Sequence, residues 1–411
     1  MALAPALTDG LDRAGRRRVL VTLCTTVTVS YGVLYYAFPV LVTDMSAETG
    51  WSRSTLTAAF SGALLVAAMV GIPVGRWLDR WGPRWIMTVG SALAVPALLL
   101  VAAAPNLAAF VLGWALAGVA MAATFYPPAF TAITRWHGHR RVRGLTVLTL
   151  AAGFASTIFA PVTAFLLDHL GWQRAYVTLA ALLGVVTIAG HWWGLRGPWP
   201  PAERPPGAVV QHPTRIARSL PFAALVTAVA LGTFAAFAAV VNLVPMLVER
   251  GVDTGTAALI LGIGGAGQVA GRLAYPALDR RTGVRTRTVV IIAVTAVTTA
   301  LLGVLTSVLA LIVAAVVAGM ARGLKTLVHA TSITDRWGTV HYGRLTGLMN
   351  MPISLAVALG PWAGSAIAGV LGGYPAAFLV LAGCALVGTG LAAISVPSQR
   401  MATPSTQRSA D

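Results

Sequence analysis

Arg322 and Lys325 stand near the middle of an apolar run, 309–337, and at a spacing of three they share one helix face. His329 continues that face one turn further on. A charged side chain near a bilayer centre costs about 2.5–3.5 kcal/mol on insertion scales, so such a group faces a cavity or a partner. No acidic residue of the chain falls at a matching depth. The chemistry open to these groups is electrostatic recognition, and the missing negative charge is expected to arrive with an anionic substrate.

Other candidates surround them. Arg272 lies seven residues before Asp279, about 10 Å along a helix, with Gln268 one turn deeper on the same face. A guanidinium can grip a carboxylate bidentately and Gln268 can orient it. The competing readings are snorkelling or an Asp279 pair for Arg272, and a structural arginine held by helix carbonyls for Arg322. Tyr31, Tyr35 and Tyr126 offer hydroxyls and an apolar wall, although aromatics in spans more often pack or anchor. Asn242 and Asn350 either line a path or bond helix to helix. Lys325 and His329 are candidates for coupling proton movement to binding, with snorkelling into headgroups as the plain alternative.

These residues need a membrane scaffold. The 411 residues are 57% hydrophobic and 10% charged, with a mean hydropathy of +0.79, outside the soluble globular range. Twelve stretches can each cross a hydrocarbon core of about 30 Å: 19–42, 54–75, 84–104, 107–134, 144–167, 174–195, 219–248, 256–278, 287–306, 309–333, 345–370 and 374–395. The net charge of +17 reports topology rather than nucleic-acid binding, because 23 of the 29 Lys and Arg fall in alternate loops and the termini. That distribution places both termini in the cytoplasm of a multi-pass protein of the cytoplasmic (inner) cell membrane. Cys24 and Cys384 lie in separate spans and suggest no disulfide framework. The first span follows Arg16, Arg17 and Arg18 yet is too long for a signal-peptide core.

The chain is also written twice. Leu78, Asp79 and Arg80 recur as Leu278, Asp279 and Arg280; Arg135 and Trp136 recur as Arg336 and Trp337; Pro161 recurs as Pro361. The expected architecture is an all-α membrane protein of twelve transmembrane helices in two six-helix bundles, 1–195 and 219–395. A Pro-rich, semi-rigid cytoplasmic linker, 196–218, joins them, and a short tail, 396–411, follows. Parallel repeats place a binding site between the halves near the midplane. Gly262, Gly264, Gly265, Gly267 and Gly271 suggest close packing of the eighth span. Walker loops, metal-ligand spacings and nucleophile constellations are lacking, so no enzyme activity and no cofactor are expected.

The loop after the second span, Gly75 to Arg84, reads GRWLDRWGPR. It resembles the G-x-L-x-D-R-x-G-R signature of the major facilitator superfamily. That resemblance implies the major facilitator fold and secondary transport by alternating access. It also implies that Gly75, Asp79, Arg80 and Arg84, echoed at Asp279 and Arg280, latch the cytoplasmic side in the outward-facing state. Within the superfamily the chain resembles the bacterial relatives of monocarboxylate and oxalate/formate transporters, through Gly32-Val33 in the first span, the turn Gly50-Trp51-Ser52-Arg53, and Gly271-Arg272. In that group the arginine matching Arg272 binds the substrate carboxylate. Where animal monocarboxylate transporters carry an aspartate four residues earlier, this chain has Gln268, leaving no carboxylate there to carry a proton. The resemblance implies a small organic anion, a monocarboxylate, moved with a proton or against a counter-anion by a protein working as a monomer. Export of a drug or natural product is the alternative, and a receptor that binds without transport is a third.

Overall fold

A computed structural model describes residues 11–138, 141–199, 214–337 and 342–397. The middle of the linker and most of the tail lie outside the described residues. Among those described, all regular structure is helical. The helices are α1 (Arg13–Thr49), α2 (Arg53–Trp81), α3 (Pro83–Ala102) and α4 (Leu107–His137), then α5 (141–170) and α6 (172–194). The second half holds α7 (Leu220–Glu249), α8 (Thr254–Arg281), α9 (Val284–Val304), α10 (Val308–Thr331), α11 (Tyr342–Leu371) and α12 (Tyr374–Ala393).

Among the described residues, eleven helical runs are long and apolar enough to cross a membrane. One of them, Arg143–Gly194, has 52 residues, about 78 Å as a straight helix and far beyond one bilayer. It is two spans joined at Gly171, whose φ of 76° breaks the helical path. Twelve spans result, as expected, but several are less regular than their hydropathy suggests. α1 passes through a π-helical turn at Gly32–Tyr36, where the face of Gly32 lies against the Phe159 ring. α4 breaks at Phe125 and restarts on Tyr126, because the Pro127-Pro128 pair cannot donate to the preceding turn. α5 is interrupted at Phe154.

The helices sort into two six-helix bundles that meet along α2 with α11, α5 with α8, and α1 with α7. In the first bundle Phe38, Phe60, Trp114 and Tyr176 form a buried aromatic core. In the second, α8 and α10 pack almost backbone to backbone. A Cβ on Gly267 would lie 2.4 Å from the Val316 carbonyl, and one on Gly271 would lie 2.2 Å from that of Met320. Gly319 and Gly323 of α10 return the contact against Gly264 and Gln268. Small residues at the seam are what lets membrane helices approach this closely. Large side chains such as Val185, Leu309, Met351 and Val370 point outward, at 70–85% exposure, as a lipid-facing surface requires.

One end of the molecule carries the basic loops after α2 and α8, and the other carries the turns at Gly50 and Gly251. At this second end the bundles are tied together. Thr57 of α2 hydrogen-bonds Ser365 of α11, the Ser61 hydroxyl accepts from the Trp362 amide at 3.0 Å, and Arg53 pairs with Glu249 at 3.9 Å. Deeper in, the Thr157 hydroxyl donates to the Gly262 carbonyl at 2.8 Å. Cys24 and Cys384 are free and half-buried.

Candidate functional site

Between the bundles, from mid-depth toward the basic end, lies a cavity of about 480 Å³. Its cations all come from the second bundle: Arg272 on α8 and Arg322 and Lys325 on α10, all buried. No carboxylate borders it among the described residues. The α8–α10 seam creates the arrangement, since close backbone approach brings Gln268 opposite Arg322. The Arg322 Nε donates to Gln268 Oε1 at 3.0 Å, while its Nη2 is buried without a partner. Lys325 Nζ donates to the Gly232 carbonyl at 2.9 Å and stands 5.9 Å from the Phe237 ring centroid. Arg272 reaches across the interface, its Nη1 donating to the Thr149 carbonyl of α5 and its Nε left unpartnered.

The facing wall is aromatic. Tyr31 stacks on Phe125 with centroids 3.9 Å apart and lies 4.9 Å from Tyr126, while Tyr35 meets Tyr31 edge to face. The π-helical turn of α1 brings Tyr31, Tyr35 and Tyr36 to one cavity, and the break in α4 adds Phe125 and Tyr126. The Tyr35 hydroxyl is buried without a hydrogen-bond partner. Toward the basic end, His329 Nε2 and Asn350 Oδ1 are 2.8 Å apart, with both residues on the cavity wall. This wall can accept one negative group on its cationic side and an apolar body on the other.

Of the residues expected from sequence, Arg272, Arg322, Lys325, Gln268, Tyr31, Tyr35, Tyr126, His329 and Asn350 gather in this cavity. Asn242 does not. It is fully buried, and its amide donates to the Ala238 and Pro361 carbonyls at 2.8 and 3.0 Å, fastening α7 to α11. Arg272 does not pair with Asp279, because Arg287 takes that carboxylate and also bonds Asp335 at 2.7 Å. Phe125 and Phe237 were not singled out by sequence, since an aromatic inside an apolar run carries no mark of its facing. Arg287 was missed because it reads as one more loop charge.

The latch expected of the loop residues belongs to the outward-facing state, and here the cross-bundle bonds lie at the opposite end. Arg84 turns into its own bundle, with Nε donating to the Trp192 carbonyl at 2.9 Å and the guanidinium 4.2 Å from the Trp192 ring centroid. Arg80 and Arg280 are exposed. The space where a Cβ on Gly75 would point is open. The side chain of Asp79 lies outside the described residues.

Twelve spans in paired bundles around a central cavity closed at one end are the form of a membrane transporter for small molecules. The chain belongs to the Major Facilitator Superfamily, whose family model matches residues 23–308. It is 27% identical over 369 residues to monocarboxylate transporter 13 of Bos taurus, covering 88% of this chain and 83% of that one. Against monocarboxylate transporter 11 of Homo sapiens it is 30% identical over 259 residues, covering 60% and 52% respectively. Its fold is similar to that of a bacterial homolog of the human lysosomal transporter Spinster in an inward-facing, unoccupied conformation, at a TM-score of 0.75 and 14% identity over 93% of this chain and 97% of the other. The nucleoside transporter NupG gives a TM-score of 0.71 at 14% identity, with 92% and 99% covered. The protein is therefore a multi-pass transporter and not an enzyme.

Proposed function

We propose that this transporter moves a small organic anion, a monocarboxylate, across the cytoplasmic membrane by alternating access, and works as a monomer. The observation that carries the reading is a buried cavity bordered by Arg272, Arg322 and Lys325, with no carboxylate among its described lining residues and with guanidinium nitrogens left unpartnered. Three buried cations without a counter-charge are costly in a membrane, and a bound anion offsets that cost. The monocarboxylate transporters to which the chain is similar support the cargo class.

The positive loops on the basic side support a cytoplasmic position for that end and for both termini, a reading in which the cavity faces inward. Residues 1–195 and 219–395 act as two rocking bodies joined by the linker. Rocking toward the outside would bring Asp79, Arg80 and Arg84 toward the second bundle as a latch, with Asp279 and Arg280 as their counterparts. Coupling runs through a proton held at Lys325 or His329, or through a counter-anion. A second reading, efflux of a drug or natural product, draws support from the aromatic wall, but the cations turn it toward acidic products.

The test is uptake of a radiolabelled monocarboxylate into liposomes reconstituted with the wild type, Arg322→Gln or Arg272→Gln. Both variants are expected to lose at least about tenfold in KM or rate, as expected when one charge-assisted partner of an anion is removed. Unchanged flux in both overturns the site, and preferential uptake of a cationic compound overturns the anion class.

A further inference from the structure

We infer that the cargo is a monoanion with a bulky, flat apolar body, an aryl carboxylate or an acid of similar shape, and not a short hydroxy acid or a dicarboxylate. The inference rests on the anion reading above. It follows from how charge is divided across the cavity. Every cation on the wall belongs to the second bundle, whereas the first contributes Tyr31, Tyr35, Tyr36, Phe125 and Tyr126 and no charged side chain among the described lining residues. A bound molecule therefore meets a cationic side and an aromatic side.

The unpartnered donors locate the negative end. Arg322 and Tyr35 line the same cavity from opposite bundles, and the Arg322 Nη2 and the Tyr35 hydroxyl are left without hydrogen-bond partners. A carboxylate has two oxygens, so one can accept from the guanidinium and the other from the phenol. Lys325 and Arg272 each hold a backbone carbonyl, of Gly232 and Thr149 respectively, and their remaining donors, Arg272 Nε among them, belong to the same cationic side. A second carboxylate at the far end of a short diacid would be pressed against aromatic rings with phenol hydroxyls but no cation to offset its desolvation.

The size of the cavity sets the body. At about 480 Å³ it lies within the range of sites that enclose most of a drug-sized ligand, about 300–1,000 Å³. A three-carbon acid would occupy a minor part and leave the aromatic wall facing water. A planar ring fills that space and meets Tyr31 and Phe125 in the edge or offset contacts that aromatic rings favour. Ala67, Ala68, Gly71 and Ala152 keep the cavity wide beyond them.

The experiment uses the full chain in liposomes, with uptake of radiolabelled phenylacetate competed by unlabelled phenylacetate, acetate, lactate and succinate. Phenylacetate is expected to compete at concentrations at least about tenfold below those of acetate and lactate, with succinate weakest. That selectivity ratio is expected to collapse in Tyr31→Ala and Phe125→Ala and to persist in Tyr31→Phe, each variant checked by gel filtration and melting. The wild-type series decides the matter even where a variant fails to fold. If acetate, lactate or succinate competes as well as phenylacetate, the inference is overturned while the anion reading stands. If no acid is taken up or competes, the anion reading fails and takes the inference with it.

Discussion

Arg322 lines the cavity with its Nε engaged by Gln268 and its Nη2 left without a partner. A neutral amide at position 268 matters because it orients the guanidinium without neutralising it. Gln268→Glu would supply an internal counter-ion in a buried setting where such pairs are strong. We expect this variant to bind anions about tenfold or more weakly at neutral pH, with affinity recovering as the new carboxyl is protonated at lower pH. Equal anion affinity of wild type and variant in equilibrium binding would show that Arg322 does not carry the recognition. His329 and Asn350 bond each other at the basic end of the cavity, so His329→Gln, which can keep a bond to Asn350, is expected to retain binding while changing the pH dependence of uptake. Superimposable pH profiles would remove His329 from coupling. The cations could be read from sequence because charge inside an apolar run is conspicuous; the orphaned Tyr35 hydroxyl could not, because its lack of a partner exists only once the helices are packed.

At the scale of elements, the site depends on the α8–α10 seam and on two irregularities. Glycines at 267 and 271 on α8 and at 319 and 323 on α10 allow the backbones to touch, and a Cβ at 323 would lie 2.1 Å from the Gln268 carbonyl. Gly323→Ala must therefore push the helices apart at the position that sets the Arg322–Gln268 bond. The cost expected from overpacking is about 1–3 kcal/mol, visible as a lower melting temperature in detergent together with weaker anion binding. An unshifted melt with unchanged binding would contradict this account of the seam. The span limits were largely legible, since apolar length and basic loops delimit them, and the glycine-rich eighth span packs as its composition suggested. The π-helical turn at Gly32–Tyr36 and the break at Phe125 were not. A π turn leaves no compositional trace, and its cause here is a tertiary contact, the Phe159 ring filling the space beside Gly32. Arg84 shows the same limit. Its motif was readable, but its partner in this state, the Trp192 carbonyl over a hundred residues away, was not.

For the whole molecule, the cross-bundle bonds at the end opposite the basic loops determine which side is sealed. Thr57 with Ser365 and Ser61 with Trp362 join α2 to α11, and Arg53 with Glu249 adds a half-exposed pair worth at most about 1 kcal/mol. Replacing Glu249 alone should therefore shift the equilibrium between open states only slightly. Cross-linking Thr57→Cys to Ser365→Cys should stop flux while leaving anion binding from the basic side intact. Continued transport by the cross-linked protein would mean that this seal does not open during the cycle. The central claim, that unmatched buried cations recognise a negative cargo, is tested most directly by equilibrium binding of a radiolabelled aryl monocarboxylate to purified wild type and Arg322→Gln. Saturable binding by the wild type and at least about a tenfold weakening in the variant are expected. Equal binding by the two proteins, or saturable binding of a cationic compound in place of the acid, would contradict it.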